Sequence, residues 1–335
     1  MGIAILGTGS YLPRQILTSA ELGRRLGVGD TWIEQKTRIR ERRVAADDEA
    51  TSDLATHAAR RALAAAAVAP HELDLVVVAT ATPDQPIPST ACHVQAALGA
   101  SRAAAFDVAA ACTGFLYALA IAHDMLLADD SRRTAMVIGA DIYSRALDYT
   151  DRGTAAVLGD GAGAVVLGKT PGQRGVIASV LRSDGNFADL VHIPAGGTRQ
   201  PTTHDTVDAR SHYLTMQGGA VRRLVMSLLP ELVDQLLDAS DCKLDDVDLF
   251  LAHQANGAML ADWADRLHLP LDKVPMTVDR FGNTGAASIP ITLDEAVHAG
   301  LLHNEDVVLL IAFGAGVTWG GMSLCWTNGP DRTAS

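Results

Sequence analysis

The chain has 335 residues, 48% of them hydrophobic and only 4% aromatic, with a net charge of -12 and a sequence pI near 5.3. That length supports two domains or one large double core of Ala, Val, Leu and Gly, and the acidic balance excludes nucleic acid as a natural partner. Four cysteines without C-x-x-C spacing, histidines without ligand spacing, an N-terminus M-G-I-A-I-L-G-T-G-S without a basic leader, and no apolar run of about 20 residues argue against disulfides, a thiolate-clustered metal, a secretory segment and a membrane span, so a soluble cytoplasmic protein is expected.

Residues 3–9 read as a strand ending in G-T-G-S, where the third glycine and the acidic residue of a dinucleotide loop do not fit. Thr18–Leu26 reads as a short capped helix. Trp32–Arg43, W-I-E-Q-K-T-R-I-R-E-R-R, reads as a solvated charged loop, although an aromatic beside cations also suits a nucleotide-bearing phosphate ligand. Thr51–Ala67 is an alanine-rich helix, and the Val run within 73–82 predicts a strand buried on both faces. After the loop Pro83–Pro88 come a helix at 89–98, a strand at 103–108, a helix from Cys112 to about Ala128 and a strand at 134–139. G-D-G-A-G-A-V-V-L-G at 159–168 reads as a glycine turn feeding a strand, its glycines explained by close backbone packing because no Lys-Ser/Thr pair follows.

Residues 170–212 are strand, loop and irregular chain. The first half then recurs: a helix at 220–238, the run L-D-D-V-D-L-F-L-A-H-Q-A-N mirroring H-E-L-D-L-V-V-V-A-T-A-T, a helix at 257–267, a strand near 274–279, the junction F-G-N-T-G-A-A-S, a helix to about 299 and a closing strand V-V-L-L-I-A-F. Asp74 precedes Cys112 by 38 positions and Asp248 precedes Thr284 by 36, as expected of two copies of one strand–helix unit. Alternating strands and helices predict two α/β halves, 1–170 and 171–330, followed by a tail at 331–335.

Within F-D-V-A-A-A-C-T-G-F-L-Y-A (106–118), small residues leave room at one thiol. A helix starting there would favour its thiolate, so Cys112 is a candidate nucleophile; the alternative is a small cysteine buried at a tight strand-to-helix junction. His253 and Asn283 are expected, with Cys112, just past the C-terminal ends of buried strands, where α/β sheets place their sites. Cys, His and Asn suit a papain-like hydrolase, but the local signature around that cysteine is absent. A second use fits better: Cys112 holds an acyl thioester while N–H donors from His253 and Asn283 stabilise the enolate formed as carbon dioxide leaves a malonyl group.

A-A-C-T-G-F, D-R-G-T-A-A-V-L-G-D-G-A-G-A, A-H-Q-A-N, G-N-T-G-A-A-S-I-P and F-G-A-G-V-T-W-G together resemble β-ketoacyl-acyl-carrier-protein synthase III of the thiolase superfamily over nearly the whole chain. The resemblance implies an α/β, thiolase-like five-layered α-β-α-β-α fold of two duplicated halves with mixed sheets, and a homodimer. It implies that an acyl-CoA acylates Cys112 and that malonyl-acyl carrier protein then condenses with loss of carbon dioxide, beginning a fatty-acid or polyketide chain. No cofactor is implied, CoA thioester being the substrate.

By the same resemblance, the N–H groups of Cys112 and near Ala315 form an oxyanion hole. Trp32, Lys36, Arg152 and Asn256 bind CoA, Ile87, Leu190 and Met216 shape the acyl pocket with Ile87 reaching the partner subunit, and Arg222 and Arg223 dock the carrier. Three departures stand out: K-T-R-I-R replaces the usual R-T-G-I-R, and Ala258 and Asp265 stand where basic carrier-docking residues are common. Lysine keeps the charge of the arginine and loses its fork. The thin docking patch raises an alternative, an acyltransferase that passes the acyl group to a small-molecule hydroxyl or amine.

Overall fold

The structure is a computed structural model that describes residues 2–172 and 175–327, so the tail expected at 331–335 lies outside the described residues. The first half contains β1 (Gly2–Tyr11), β2 (Gln15–Thr18), α1 (Ser19–Arg25), α2 (Trp32–Thr37), β3 (Glu41–Val44), α3 (Thr51–Ala66) and β4 (Leu75–Ala79). It continues with α4 (Thr90–Leu98), β5 (Ala104–Val108), α5 (Gly114–Ala128), β6 (Thr134–Ile142), α6 (Arg152–Ala155) and β7 (Asp160–Thr170). The second half contains β8 (Gly175–Ser183), β9 (Val191–His192), α7 (His204–Asp208), β10 (Thr215–Met216), α8 (Gly218–Ser240) and β11 (Leu249–Ala252). After these come α9 (Gly257–Leu267), α10 (Val278–Phe281), α11 (Ser288–His298), β12 (Val307–Gly314) and β13 (Thr318–Cys325).

Strand order β1-β7-β6-β4-β5 makes one mixed sheet and β11-β12-β13-β8 a second. Side-chain alternation shows how they stack. Leu75, Val77 and Ala79 of β4 pack in a cluster with α5 and α11, while Val76 and Val78 pack with α3 and α4. In β12, Val308, Leu310 and Ala312 join the α5–α11 cluster, and Leu309, Ile311 and Phe313 pack with α8 and α9. The layers are therefore α3/α4, sheet, α5/α11, sheet, α8/α9, the five-layered α-β-α-β-α thiolase fold. Every side chain of β4 is fully buried, and burying a Val or Leu contributes roughly 1.5–3 kcal/mol, so a charge at Val77 would disrupt two layers at once. Ala111–Ala128 is long and apolar enough to cross a bilayer, yet most of it is α5, in the central layer between the sheets.

The two copies repeat the same local features. Asp74 caps the start of β6, accepting from Arg133 N at 2.7 Å, and Asp248 caps β12 in the same way, accepting from Val307 N at 2.8 Å. A 3-10 turn at Ala111–Thr113 leads into α5, and one at Gly285–Ala287 leads into α11. Both turns begin with positive φ, 45° at Ala111 and 60° at Gly285.

Four expectations are corrected. Residues 274–279 form no strand: Gln254 Oε1 accepts from Thr277 N (2.9 Å) and Val278 N (3.1 Å), and its Nε2 donates to Pro275 O (3.2 Å). One buried side chain thus takes the bonds a ladder would use, and Asn283 follows the short helix α10 rather than a strand end. Trp32–Arg43 is not a solvated loop but α2 and β3; Arg42, 1% exposed, lies opposite Leu17 and donates to Leu17 O, Ser19 Oγ and Ala156 O. The glycines at 161 and 163 lie inside β7 rather than in a turn, because a Cβ at Gly163 would come within 2.6 Å of Ile291 N on α11. The run V-V-L-L-I-A-F does not close the sheet, since β13 follows it and pairs with β8.

Candidate active site

Both halves contribute to one cavity of about 480 Å³, whose wall includes Cys112, His253, Asn283 and Ala315. Cys112 is the middle residue of the 3-10 turn before α5. The hairpin between β12 and β13 closes on that turn: Thr113 Oγ1 contacts Thr318 Oγ1 and donates to Ala110 O at 2.8 Å, and a Cβ at Gly314 would lie 2.7 Å from Thr113 Oγ1. Glycine at 314 is therefore required for the approach that brings Ala315 beside Cys112 in the cavity wall.

The expected thiolate is not the resting form. Cys112 keeps some surface on the cavity wall, but burial pushes its thiol up to about 12, the nearby Asp141 carboxylate pushes the same way, and only the Cys112 N–H opposes them. Desolvation outweighs the helix start. His253 is more deeply buried, at 3% exposure, and burial lowers its imidazole to about 4, so thiol and imidazole rest neutral.

His253 follows β11, its N–H donating to Ile311 O at 2.8 Å, and its Nδ1 lies 2.7 Å from Ser288 Oγ. Asn283 is fixed through its backbone, its N–H donating to Val157 O (2.8 Å) and its carbonyl accepting from Gly159 N (2.9 Å). Its Oδ1 accepts from Gly285 N at 2.9 Å, which leaves the Nδ2 donors without a partner among the described residues. Gly285 has φ +60°, and a Cβ there would fall 2.3 Å from Asp141 Oδ2, so this turn demands glycine.

Asp141, absent from the sequence-based candidates, is a fully buried carboxylate that ties the site together. It accepts from Ala81 N (2.8 Å), Thr80 Oγ1 (3.2 Å) and Thr82 Oγ1 (3.1 Å) in the first half and from Ala286 N (2.8 Å) in the second. Burial raises it to about 6 despite these bonds. Its only sequence signal is an acidic residue at the end of an apolar strand. Ser288 and Gln254, which brace His253 and the 274–279 segment, were likewise missed as site residues.

The remaining candidates divide. Asn256, Met216 and Arg222 line the cavity. Asn256 Oδ1 caps α9 by accepting from Met259 N at 2.9 Å. Leu190 does not line the cavity; its carbonyl accepts from Gln217 N, and Val191 and Ile193 take the wall instead. Ile87 is 86% exposed and also lies off the cavity. Trp32 and Arg152 lie together, the guanidinium carbon 5.7 Å from the indole centroid, beside Gly153 of the cavity wall. Lys36 is exposed on the same helix as Trp32. Arg38 has φ +58° next to Gly257, a left-handed backbone at the position where the family pattern has glycine. Arg222 pairs with Asp262, its Nε 3.1 Å from Oδ2, and Arg223 is exposed. Among the described residues no group of His, Cys, Asp and Glu is placed to hold a metal ion.

The chain matches the family models for 3-oxoacyl-[acyl-carrier-protein (ACP)] synthase III over residues 106–185 and for its C-terminal region over 237–326. It is 43% identical over 324 residues to β-ketoacyl-[acyl-carrier-protein] synthase III of Caldanaerobacter subterraneus, covering 97% of this chain and 98% of that one. It is 48% identical over 315 residues to acetoacetyl CoA synthase NphT7 of Streptomyces sp., covering 93% and 95%. The crystal structure of 3-oxoacyl-[acyl-carrier-protein] synthase III from Aquifex aeolicus superposes with a TM-score of 0.89 at 38% identity, covering 97% of this chain and all of that one. The fold and cavity define a condensing acyltransferase of the thiolase superfamily. Within it, the chain belongs to the 3-oxoacyl-[acyl-carrier-protein] synthase III family: it joins an acyl starter to a malonyl unit with loss of carbon dioxide, giving a 3-oxoacyl product.

Proposed function

We propose that the chain condenses an acyl-CoA starter with malonyl-acyl carrier protein, using Cys112, His253 and Asn283, and so begins a fatty-acid or polyketide chain. First, Cys112 Sγ attacks the acyl-CoA carbonyl; the new C–S bond forms, the bond to CoA breaks, and the thiol proton leaves with CoA. The N–H groups of Cys112 and near Ala315 hold the oxyanion. The malonyl thioester then loses carbon dioxide, and the C–C electron pair becomes an enolate whose oxygen accepts N–H bonds from His253 and Asn283. The enolate carbon attacks the acyl-Cys112 carbonyl, and the cysteine leaves as thiolate and takes a proton from water. Protein groups supply this chemistry, with CoA thioester as substrate and no cofactor.

The observation that carries this reading is that the three side chains line one cavity, with the Asn283 amide oriented by Gly285 N. Trp32 and Arg152 seat the CoA adenine. Two copies assemble through the edge of the first sheet, a reading supported by the exposed Ile87 and the half-buried side chains of edge strand β5, and the protein works in the cytoplasm. Intact-protein mass tests the core of the proposal: acyl-CoA should add one acyl group to the native protein and none to Cys112→Ala, and malonyl-acyl carrier protein should then discharge it with release of carbon dioxide. An adduct that survives in Cys112→Ala would refute the assignment.

One observation favours a second carrier for the malonyl group. Arg222, at the cavity mouth, is engaged by Asp262, which leaves less positive charge for an acidic carrier protein. Malonyl-CoA would enter past Trp32 without that docking, in keeping with the similarity to an acetoacetyl CoA synthase. Comparing kcat/KM for malonyl-CoA and malonyl-acyl carrier protein separates the two, and a product two carbons longer than the acyl group excludes simple transfer to a hydroxyl or amine.

A further inference from the structure

The imidazole of His253 is braced by a residue that does not line the cavity. Its Nδ1 lies 2.7 Å from the hydroxyl oxygen of Ser288, the first residue of α11 and 1% exposed, and Gln254 N–H points at the same oxygen from 3.4 Å. A hydroxyl has one proton to donate. Gln254 N–H is itself a donor, so among the described residues Nδ1 is the acceptor within reach of the Ser288 proton. With the Nδ1 lone pair engaged, the proton of the neutral ring sits on Nε2, which has no protein partner among the described residues. The ring stays neutral because burial lowers it to about 4.

The duplication supplies an independent observation. Aligning Leu75–Ala79 on 249–253, and the turn at 111–114 on 285–288, places Ala79 opposite His253 and Gly114 opposite Ser288. These counterparts also touch, since a Cβ at Gly114 would lie 3.2 Å from the Ala79 Cβ. The fold makes one contact twice: with the smallest apolar residues in the first copy, and with a hydrogen-bonded pair in the second. Packing at this contact does not need the hydroxyl.

We propose that Ser288 is a positioning residue that fixes His253 as its Nε2–H tautomer, so that the histidine enters condensation as a donor to the enolate oxygen and not as a base. This rests on the role given to His253 above. The test uses the full-length protein with 15N-labelled imidazoles, His253→Ala identifying the resonance. The proton is expected on Nε2 and absent from Nδ1 in the native protein, and Ser288→Ala should lose that preference. Ser288→Ala should also slow decarboxylative condensation roughly 10- to 100-fold, by analogy with loss of the partner that orients a metal-bound histidine, while acylation of Cys112 stays within about twofold. Ser288→Thr, which keeps the hydroxyl, should restore the Nε2–H signal. A proton on Nδ1 in the native protein, or equal loss of both half-reactions in Ser288→Ala, would overturn the proposal. Failure of the native protein to acylate Cys112 would instead refute the catalytic reading, and the tautomer would still be decided by the spectrum.

Discussion

The two copies of the unit share the backbone of the turn and the following helix and carry opposite chemistry. In the first, edge strand β5 leads to the turn at 111–113, and the turn presents a thiol. In the second, the counterpart of that strand is the short helix α10, whose first N–H groups donate to Gln254, and the turn at 285–287 presents backbone N–H groups that orient Asn283 and bind Asp141. Position 112 corresponds to Ala286, and position 283 to Ala109. On the proposed mechanism, the duplicated fold divides a two-step reaction: one copy would hold the electrophile and the other stabilise the nucleophile. The sharpest way to break the division is Asn283→Ala, which gives the second copy its counterpart's residue. Decarboxylative condensation should fall roughly 100- to 1000-fold, the loss seen when one oxyanion donor is removed, while mass spectrometry shows Cys112 acylation largely intact. Equal loss of both steps would mean that the two copies share one task.

Proton linkage gives the next largest effect, and here two site groups oppose each other. His253 is lowered to about 4 from an ordinary 6.5, so the unfolded chain binds a proton that the fold refuses. Its stabilising contribution is present above pH 6.5 and is lost as pH falls to 4, about 3 kcal/mol in all. Asp141 is raised to about 6 from 3.8; its contribution is full below pH 3.8 and is lost as pH rises through 6, also about 3 kcal/mol. Between pH 4 and 6 the two offset. His253→Ala removes one side, so its urea midpoint should fall as pH rises across that window, where the native protein's should not. A flat profile in the variant would show that Asp141 is not held protonated by the fold.

Much of this was legible before any coordinates. Runs of Val and Leu marked the doubly buried strands, the Asp74 and Asp248 spacings exposed the duplication, and small residues around Cys112 and Asn283 marked the turns. What was not legible depends on partners far away in the chain. V-P-M-T-V-D has the composition of a strand, and only Gln254 of A-H-Q-A-N, more than 20 positions earlier, occupies its backbone bonds. A run of basic residues suggests a solvated surface, but Arg42 is buried because the carbonyls of Leu17 and Ala156 and the hydroxyl of Ser19 receive it. The protonation state of Cys112 is hidden from the sequence for a related reason: local sequence shows the helix start that favours a thiolate, while the burial and the Asp141 carboxylate that prevent it come from folding.

The first residue of each turn offers the finest comparison. Gly285→Ala should cost about 2 kcal/mol, because a left-handed alanine is strained and its Cβ must displace a buried neighbour; that neighbour is Asp141 Oδ2 at 2.3 Å or Tyr143 Cε2 at 2.4 Å. A urea midpoint that hardly moves would mean the turn can open without loss.

Ala111 sits at the same place in the first copy with φ +45° and already has its methyl group, which faces the cavity rather than a carboxylate. Ala111→Gly relieves the left-handed strain, about 1 kcal/mol, and adds a similar entropic cost through the unfolded chain, so the net change should stay within about 0.5 kcal/mol. If Ala111→Gly instead destabilises the protein as much as Gly285→Ala does, the Ala111 methyl group is packed as tightly as Gly285. The two turns would then be alike in their demands, and the room at the Cys112 turn, on which entry of the acyl thioester depends, would have to come from movement of the chain.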